Sequence, residues 1–211
     1  MDRAQFAAAT GVSRETLERL DIYAAELARW NRAINLVAPR TLDAVWQRHF
    51  LDSWQVLAVA GRADGPWIDL GSGGGFPGLV LAACGAAPIT LIESDQRKCV
   101  FLRETARKMA VPVTVLARRI NDVPPAAARF VSARALAPLP KLLEMAYRFN
   151  GPDTRYLFLK GQDVESELTD ATKYWKFDVS QHPSRSDLGR DSRGSVLSIG
   201  ALRRHDTDAA D

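Results

Sequence analysis

The stretch WIDLGSGGGFPG, Trp67 to Gly78, decides how the rest of the chain is read. Apolar and β-favouring residues run into Asp69 and Leu70, five glycines then fall within eight positions, and an apolar run, Leu79 to Ala83, follows. That order reads as strand, tight turn and helix. Glycines allow a positive φ and let a ligand approach the backbone, and the amides of the helix's first turn face whatever occupies the turn. A nucleotide-like ligand is the first hypothesis. The stretch also holds Gly73-x-Gly75-x-x-Gly78, a dinucleotide fingerprint in form, with Glu93 about 20 residues beyond Gly73 as that fingerprint requires.

Asp69 and Glu93 discriminate between ligands. Asp69 ends the first strand two residues before Gly71, so its carboxylate is expected to point into the glycine turn. A pyrophosphate there would meet a negative charge, whereas a ligand bringing an ammonium or sulfonium would be attracted. S-adenosylmethionine is such a ligand. Its ribose hydroxyls would meet the carboxylate of Glu93, which closes the second strand, ITLIE. The competing readings are an NAD-type dinucleotide site, or Asp69 as a helix cap with Glu93 as a solvated strand end.

At 211 residues and 46% apolar content, the chain allows one large α/β domain with a modest extension. No window approaches 18 uncharged apolar residues, and the start MDRAQ lacks the order of a signal peptide, so a cytoplasmic protein is expected. Cys84 and Cys99 fall inside helical patterns, have no partner at metal-ligand spacing, and read as reduced core or half-buried thiols; no metal site is expected. Lys+Arg 28 against Asp+Glu 25, with pI ≈ 9.0, permits a nucleic-acid partner without demanding one.

Residues 1–62 read as a helical extension. Ser13 caps a periodic segment through Leu17, Leu20, Tyr23, Ala24, Leu27 and Trp30; Asn31 to Pro39 breaks it; Thr41 to Leu57 forms a second helix with an aromatic face. Arg48 and Asp52 sit four apart on that helix, next to His49. Gly61 to Pro66 is a linker. Residues 63–204 then alternate. Strands are expected at 88–93, 111–117, 130–136 and 155–161, with helices at 96–109 (Val100, Phe101, Leu102 and Ala106 inward), 139–149 and 164–175. Two last strands, 177–179 and 195–202, have no helix between them and are expected to pair antiparallel. The fold class is α/β: a doubly wound, Rossmann-like sheet, with ligands at the carboxyl ends of its strands. Residues 205–211 read as a frayed, disordered tail.

From Asn35 to Arg204 the chain resembles the RsmG (GidB) family of bacterial 16S rRNA guanine-N7 methyltransferases. The resemblance is carried by INLV at 34–37, RHFLDS at 48–53, IDLGSGGGFPG at 68–78, LIESDQRKCVFLRE at 91–104, SARALAPL at 132–139 and FLKGQDVESEL at 158–168. It implies a class I S-adenosylmethionine-dependent methyltransferase fold. Carried over residue by residue, it places Gly71, Phe76, Glu93, the pair Ile120-Asn121 and Arg134 around the cofactor, beside Asp69, Gly73 and Gly75 of the glycine turn. The second residue of the pair is commonly acidic in such enzymes and is Asn121 here; an amide still offers one bond to the adenine amine. The implied partner is 16S ribosomal RNA, free or in the 30S ribosomal particle, and a monomer is the default.

The residues suit that acceptor. Carbon acceptors usually need a cysteine nucleophile, and neither cysteine lies at a strand end; amine acceptors are typically held by an Asn/Asp-Pro-Pro-aromatic turn, where this chain reads SARALAPL. Guanine N7 already carries an in-plane lone pair and loses no proton before attack, so no general base is required and no residue is singled out as catalytic. Arg134 and Lys160 end strands four and five and are expected at the rim. Arg118 and Arg119 after strand three, and Arg185, Arg190 and Arg193 in the polar loop Gln181 to Gly194, are expected to meet phosphates, with Lys160, Arg48 and His49 as further candidates for the RNA surface. Arg103 and Arg107 read as a solvated helix face. The alternatives to an RNA methyltransferase are an NAD-dependent oxidoreductase using the same turn, and a ribosome-associated RNA-binding protein without turnover.

Overall fold

The computed structural model describes residues 1–61, 64–186 and 194–205. One seven-stranded sheet organises them, comprising β1 (Asp64–Leu70), β2 (Ala87–Glu93), β3 (Val113–Ala117), β4 (Phe130–Arg134), β5 (Arg155–Lys160), β6 (Trp175–Pro183) and β7 (Ser195–Arg204). Their order is β3-β2-β1-β4-β5-β7-β6. The first five run parallel, while β7 is antiparallel to both β5 and β6. Strand order reverses between β1 and β4, the place where an open α/β sheet forms its ligand crevice.

The pleat sends alternate residues to opposite faces, so each strand feeds two cores. Trp67, Ile89, Leu91, Phe130 and Leu157 face α1 (Arg3–Thr10), α2 (Arg14–Asn31), α3 (Asp52–Ala60), α4 (Gly78–Ala83) and α5 (Gln96–Lys108). Ile68, Leu70, Ile92, Val131 and Phe158 face α6 (Leu139–Ala146) and α7 (Val164–Ala171). The N-terminal helices thus share their core with the sheet: Phe6, Leu20 and Leu27 are fully buried in the same cluster as Trp67 and Leu91.

Several elements differ from the sequence-based expectation. Helix α1, closed by a capping box between Asp2 and Gln5, was not foreseen because its apolar face is reduced to Phe6. The expected second helix is three pieces: a 3-10 turn at Pro39–Ala44, a wide π turn at Trp46–Leu51 and then α3. Asp64 to Pro66, expected in a linker, already pair in β1. Val100 is 47% exposed rather than inward, since Cys99, Phe101, Leu102, Thr105 and Ala106 fill the buried stripe of α5. β6 runs six residues further than its alternation suggested, counting the two at its start, and takes Gln181 to Pro183 out of the expected loop. His205 is not frayed; its amide donates to the Tyr174 carbonyl at 3.0 Å. Residues 206–211 lie outside the described residues.

Candidate functional site

Two adjoining cavities open at the carboxyl ends of the parallel strands. The first, about 560 Å³, is walled by the glycine turn after β1, the end of β2, the segment after β3 and the end of β4. Gly71, Gly73, Phe76, Glu93, Ile120, Asn121 and Arg134 all line it, as do Arg118 and Arg119. Arg118 and Arg119, expected to meet RNA phosphate, have their exposed side chains at the rim of this first cavity.

Backbone conformation builds the turn. Gly73 has φ +54° and Gly75 φ +89°, both in the left-handed region that side chains avoid. A Cβ on Gly75 would also lie 2.6 Å from the Tyr23 hydroxyl, which donates to the Gly74 carbonyl and so ties α2 to the turn. Its spacing marks Tyr23 only as a core residue of an amphipathic helix and gives no sign of that contact. Gly73 in turn donates its amide to Glu93 Oε2 at 2.8 Å, and Glu93 Oε1 accepts the Asp95 amide at 2.8 Å. The Glu93 carboxylate is therefore oriented by two backbone donors. Each oxygen keeps a lone pair for a further donor from the cavity.

Asp69 departs from its expected placement. Alternation along β1 puts its side chain on the same face as Trp67, beneath α4 rather than in the cavity, and it is fully buried. Oδ1 accepts from Ser132 Oγ at 2.7 Å, and Ser132 Oγ accepts from Trp67 Nε1 at 3.0 Å. Oδ2 has no hydrogen-bond partner of normal geometry. Burial pushes the carboxyl up to about 6, against the opposing pull of the Ser132 and Ser72 hydroxyls, the Gly78 amide and Arg134. Gly78 is required above it, since a Cβ there would sit 2.8 Å from Oδ2 and 2.3 Å from Leu91 Cδ2.

The second cavity, about 410 Å³, shares Leu36, Arg134 and Ala135 with the first. Asn31 shapes that shared wall, its Oδ1 accepting the amides of Leu36 and Val37 at 2.9 Å each. Arg134 is fixed at the junction: its guanidinium lies 4.5 Å from the Phe76 ring centroid and donates to His49 Nδ1 at 2.9 Å. Because Arg has only donors, Nδ1 accepts and Nε2 carries the proton toward Thr41 Oγ1 at 2.8 Å. The imidazole stacks on Phe76 at 4.8 Å. Burial, then Arg134 and Arg48, push its pKa down to about 3, so His49 is a neutral wall and not the phosphate-meeting cation expected on the RNA surface.

Lys160 is likewise corrected. Its side chain is 9% exposed, pairs with Glu167 at 2.5 Å and donates to the Ala137 carbonyl at 3.0 Å, so it braces the strand end against α7 instead of standing free at the rim. Arg48 lines the second cavity together with Asp52. Arg185 lies 6.0 Å from the Trp54 ring centroid while its amide donates to Gln55 Oε1 at 2.9 Å, which anchors the start of the polar segment on α3. Arg190 and Arg193 lie outside the described residues. Chemically, the first cavity offers an oriented carboxylate for a diol, an apolar and amide edge for a heterocycle, and positive-φ backbone for close approach. The second offers a cationic, partly apolar recess beside it. Among the described residues no group of His, Cys, Asp or Glu could hold a metal ion, and no helix is long and apolar enough to cross a membrane.

The family described as "rRNA small subunit methyltransferase G" (GidB) matches residues 16–195. Ribosomal RNA small subunit methyltransferase G of Paramagnetospirillum magneticum is 49% identical over 195 residues, 92% of this chain and 93% of that protein. The Rhodospirillum centenum protein of the same name is 54% identical, covering 86% of this chain and 84% of its own length. Among solved structures, magnesium protoporphyrin IX methyltransferase from Synechocystis PCC 6803 with bound SAM superposes with TM-score 0.60 at 15% identity, covering 91% of this chain and 98% of that one. A SAM-dependent methyltransferase from Aquifex aeolicus gives 0.58 at 16% identity, covering 83% and 97%. These two likenesses bear on fold, which is that of class I methyltransferases.

Proposed function

Because the chain belongs to the GidB family of ribosomal RNA small subunit methyltransferases, we propose that it transfers a methyl group from S-adenosylmethionine to N7 of a guanine in 16S ribosomal RNA. The observation that carries this reading is the pair of cavities meeting at Arg134, one suited to a nucleoside and one to an incoming base. When bound, S-adenosylmethionine supplies an electrophilic methyl carbon on a sulfonium. Glu93, already oriented by Gly73 and Asp95, accepts the two ribose hydroxyls. Ile120 gives the adenine an apolar contact and Asn121 an amide partner for its amine. Gly71, Gly73, Gly75 and Phe76 set the backbone and floor of the donor site. Asp69 acts from below, biasing the turn toward a cationic ligand without touching it. Arg134 stands between donor and acceptor, its guanidinium held over the Phe76 ring and against His49. The chain's work is alignment, since N7 needs no base to attack.

In this reading residues 1–62 are a helical extension that walls the acceptor cavity, and residues 63–204 are the donor-holding, Rossmann-like domain. Arg48, with Arg118 and Arg119 and the segment bearing Arg185, Arg190 and Arg193, carries the phosphate contacts to RNA or the 30S ribosomal particle. The enzyme works as a cytoplasmic monomer. An oxidoreductase is disfavoured by the family membership. Thermal unfolding with each ligand tests the donor half: S-adenosylhomocysteine should raise Tm and NADH should not, and the reverse result removes the reading.

A further inference from the structure

Asp52 is the one carboxylate that lines the acceptor cavity among the described residues, in company with Arg48, Arg134 and Lys160. It is half-buried at the start of α3, immediately after the π turn that carries Arg48 and His49. Two hydroxyls from the segment that follows β6 orient it: Ser184 Oγ and Ser186 Oγ lie 3.0 and 3.2 Å from Oδ1, and 2.8 Å from each other. Ser186 and Ser184 are themselves held: Gln47 Nε2 donates to the Ser186 carbonyl at 3.1 Å, and the Ser184 amide donates to the Gly194 carbonyl at 2.8 Å. A carboxylate placed with this care in a recess for a polyanion repels phosphate, so its natural partners are hydrogen-bond donors on a base.

Guanine is the base that presents two adjacent donors, N1–H and the 2-amino group, to a carboxylate. Adenine has an acceptor at N1, cytosine a donor beside an acceptor, and uracil a single donor between carbonyls. The N1 and N2 edge lies across the purine from N7. A guanine whose N1 and N2 edge met Asp52 would therefore turn N7 away from α3, toward the wall formed by Leu36, Arg134 and Ala135 that the donor cavity shares.

We propose that Asp52 is the specificity-determining residue of the acceptor cavity, accepting from N1–H and the 2-amino group of the target guanine and so orienting N7 toward the methyl donor. The assignment rests on the methyltransferase reading above. The competing role for Asp52 is charge balance toward Arg48 and Arg134, which would be blind to the 2-amino group.

The test compares small-subunit particles reconstituted with guanosine or inosine at the methylated position, with wild-type enzyme and Asp52→Asn. Inosine keeps N7 and N1–H and lacks only the 2-amino group. Wild type should prefer guanosine by about tenfold in kcat/KM, and Asp52→Asn should lose most of that preference while S-adenosylhomocysteine binding stays unchanged. Wild type that treats the two alike overturns the assignment, and that arm stands even if the variant fails to fold. A folded variant that keeps the full preference overturns it too. Wild type that methylates neither particle sinks the methyltransferase reading itself, which is a separate result.

Discussion

The Gly73 amide and the Glu93 carboxylate are joined at 2.8 Å across 20 residues of sequence, so the loop that would receive the methionine end of the donor and the group that would receive its ribose are one unit. Glu93 Oε1 extends that unit to Asp95, which caps α5 by accepting from the Arg97 and Lys98 amides.

Substitutions at Glu93 should therefore act twice, on the ligand contact and on the turn. Glu93→Ala and Glu93→Gln should each weaken S-adenosylhomocysteine binding by about 1.5–3 kcal/mol. The glutamine variant suffers because its NH₂ must face one of two backbone N–H donors. Calorimetric titration checks this, and unchanged affinity in a folded glutamine variant would remove Glu93 from the donor site.

Asp69 should make stability depend on pH. Its carboxyl in the fold titrates at about 6, above the ~3.9 of an unfolded chain, so the folded state holds the proton more tightly. The associated stability is fully present below pH ~3.9 and is lost as pH rises through about 6. Asp69→Asn has no such titration, so between pH 4 and 7 its stability should gain about 2 kcal/mol relative to wild type. Urea unfolding at both pH values measures the difference. A difference that does not vary with pH would contradict the burial described for this side chain.

His49 should act with the opposite sign. Its pKa in the fold is about 3 against ~6.5 unfolded, so the unfolded chain binds the extra proton between those values. The stability is present above pH ~6.5 and declines as pH falls toward 3, at up to about 1.4 kcal/mol per pH unit. His49→Gln, which can still accept from Arg134, should flatten that acid limb. An unchanged limb would show the imidazole to be accessible to protons in the folded state.

Much of this was legible in the sequence, and the exceptions have physical causes. The parallel strands were visible because burial on both faces makes them continuous apolar runs, as in ITLIE and RYLFLK. Glu93 is marked by its distance from Gly73, which reflects one turn, helix and strand of fixed size. The π turn at Trp46–Leu51 was not, because its residues have the composition of an ordinary helix, yet it sets Arg48 and His49 against the cavity. The side on which Asp69 lies depended on the phase of β1, which became clear only from Trp67 beneath the helices. Lys160 was misplaced because its partner, Glu167, arrives from a helix whose docking no local pattern encodes.

RNA contacts should separate from donor contacts. Replacing Arg185, Arg190 and Arg193 by Ala should raise the KM for RNA and flatten the salt dependence of RNA binding, by roughly one unit of slope per lost phosphate contact and about three in all. Donor affinity should hardly move. A triple variant with the full salt slope would shift the RNA surface to Arg48 and its surroundings.

Methyl transfer to guanine N7 can be measured directly. Ribosomal RNA lacking the modification is incubated with enzyme and S-adenosylmethionine, digested to nucleosides and analysed by mass spectrometry. 7-Methylguanosine is expected from the 16S RNA, dependent on both enzyme and donor. No methylated nucleoside, or a methyl group on another base or another guanine atom, would contradict it.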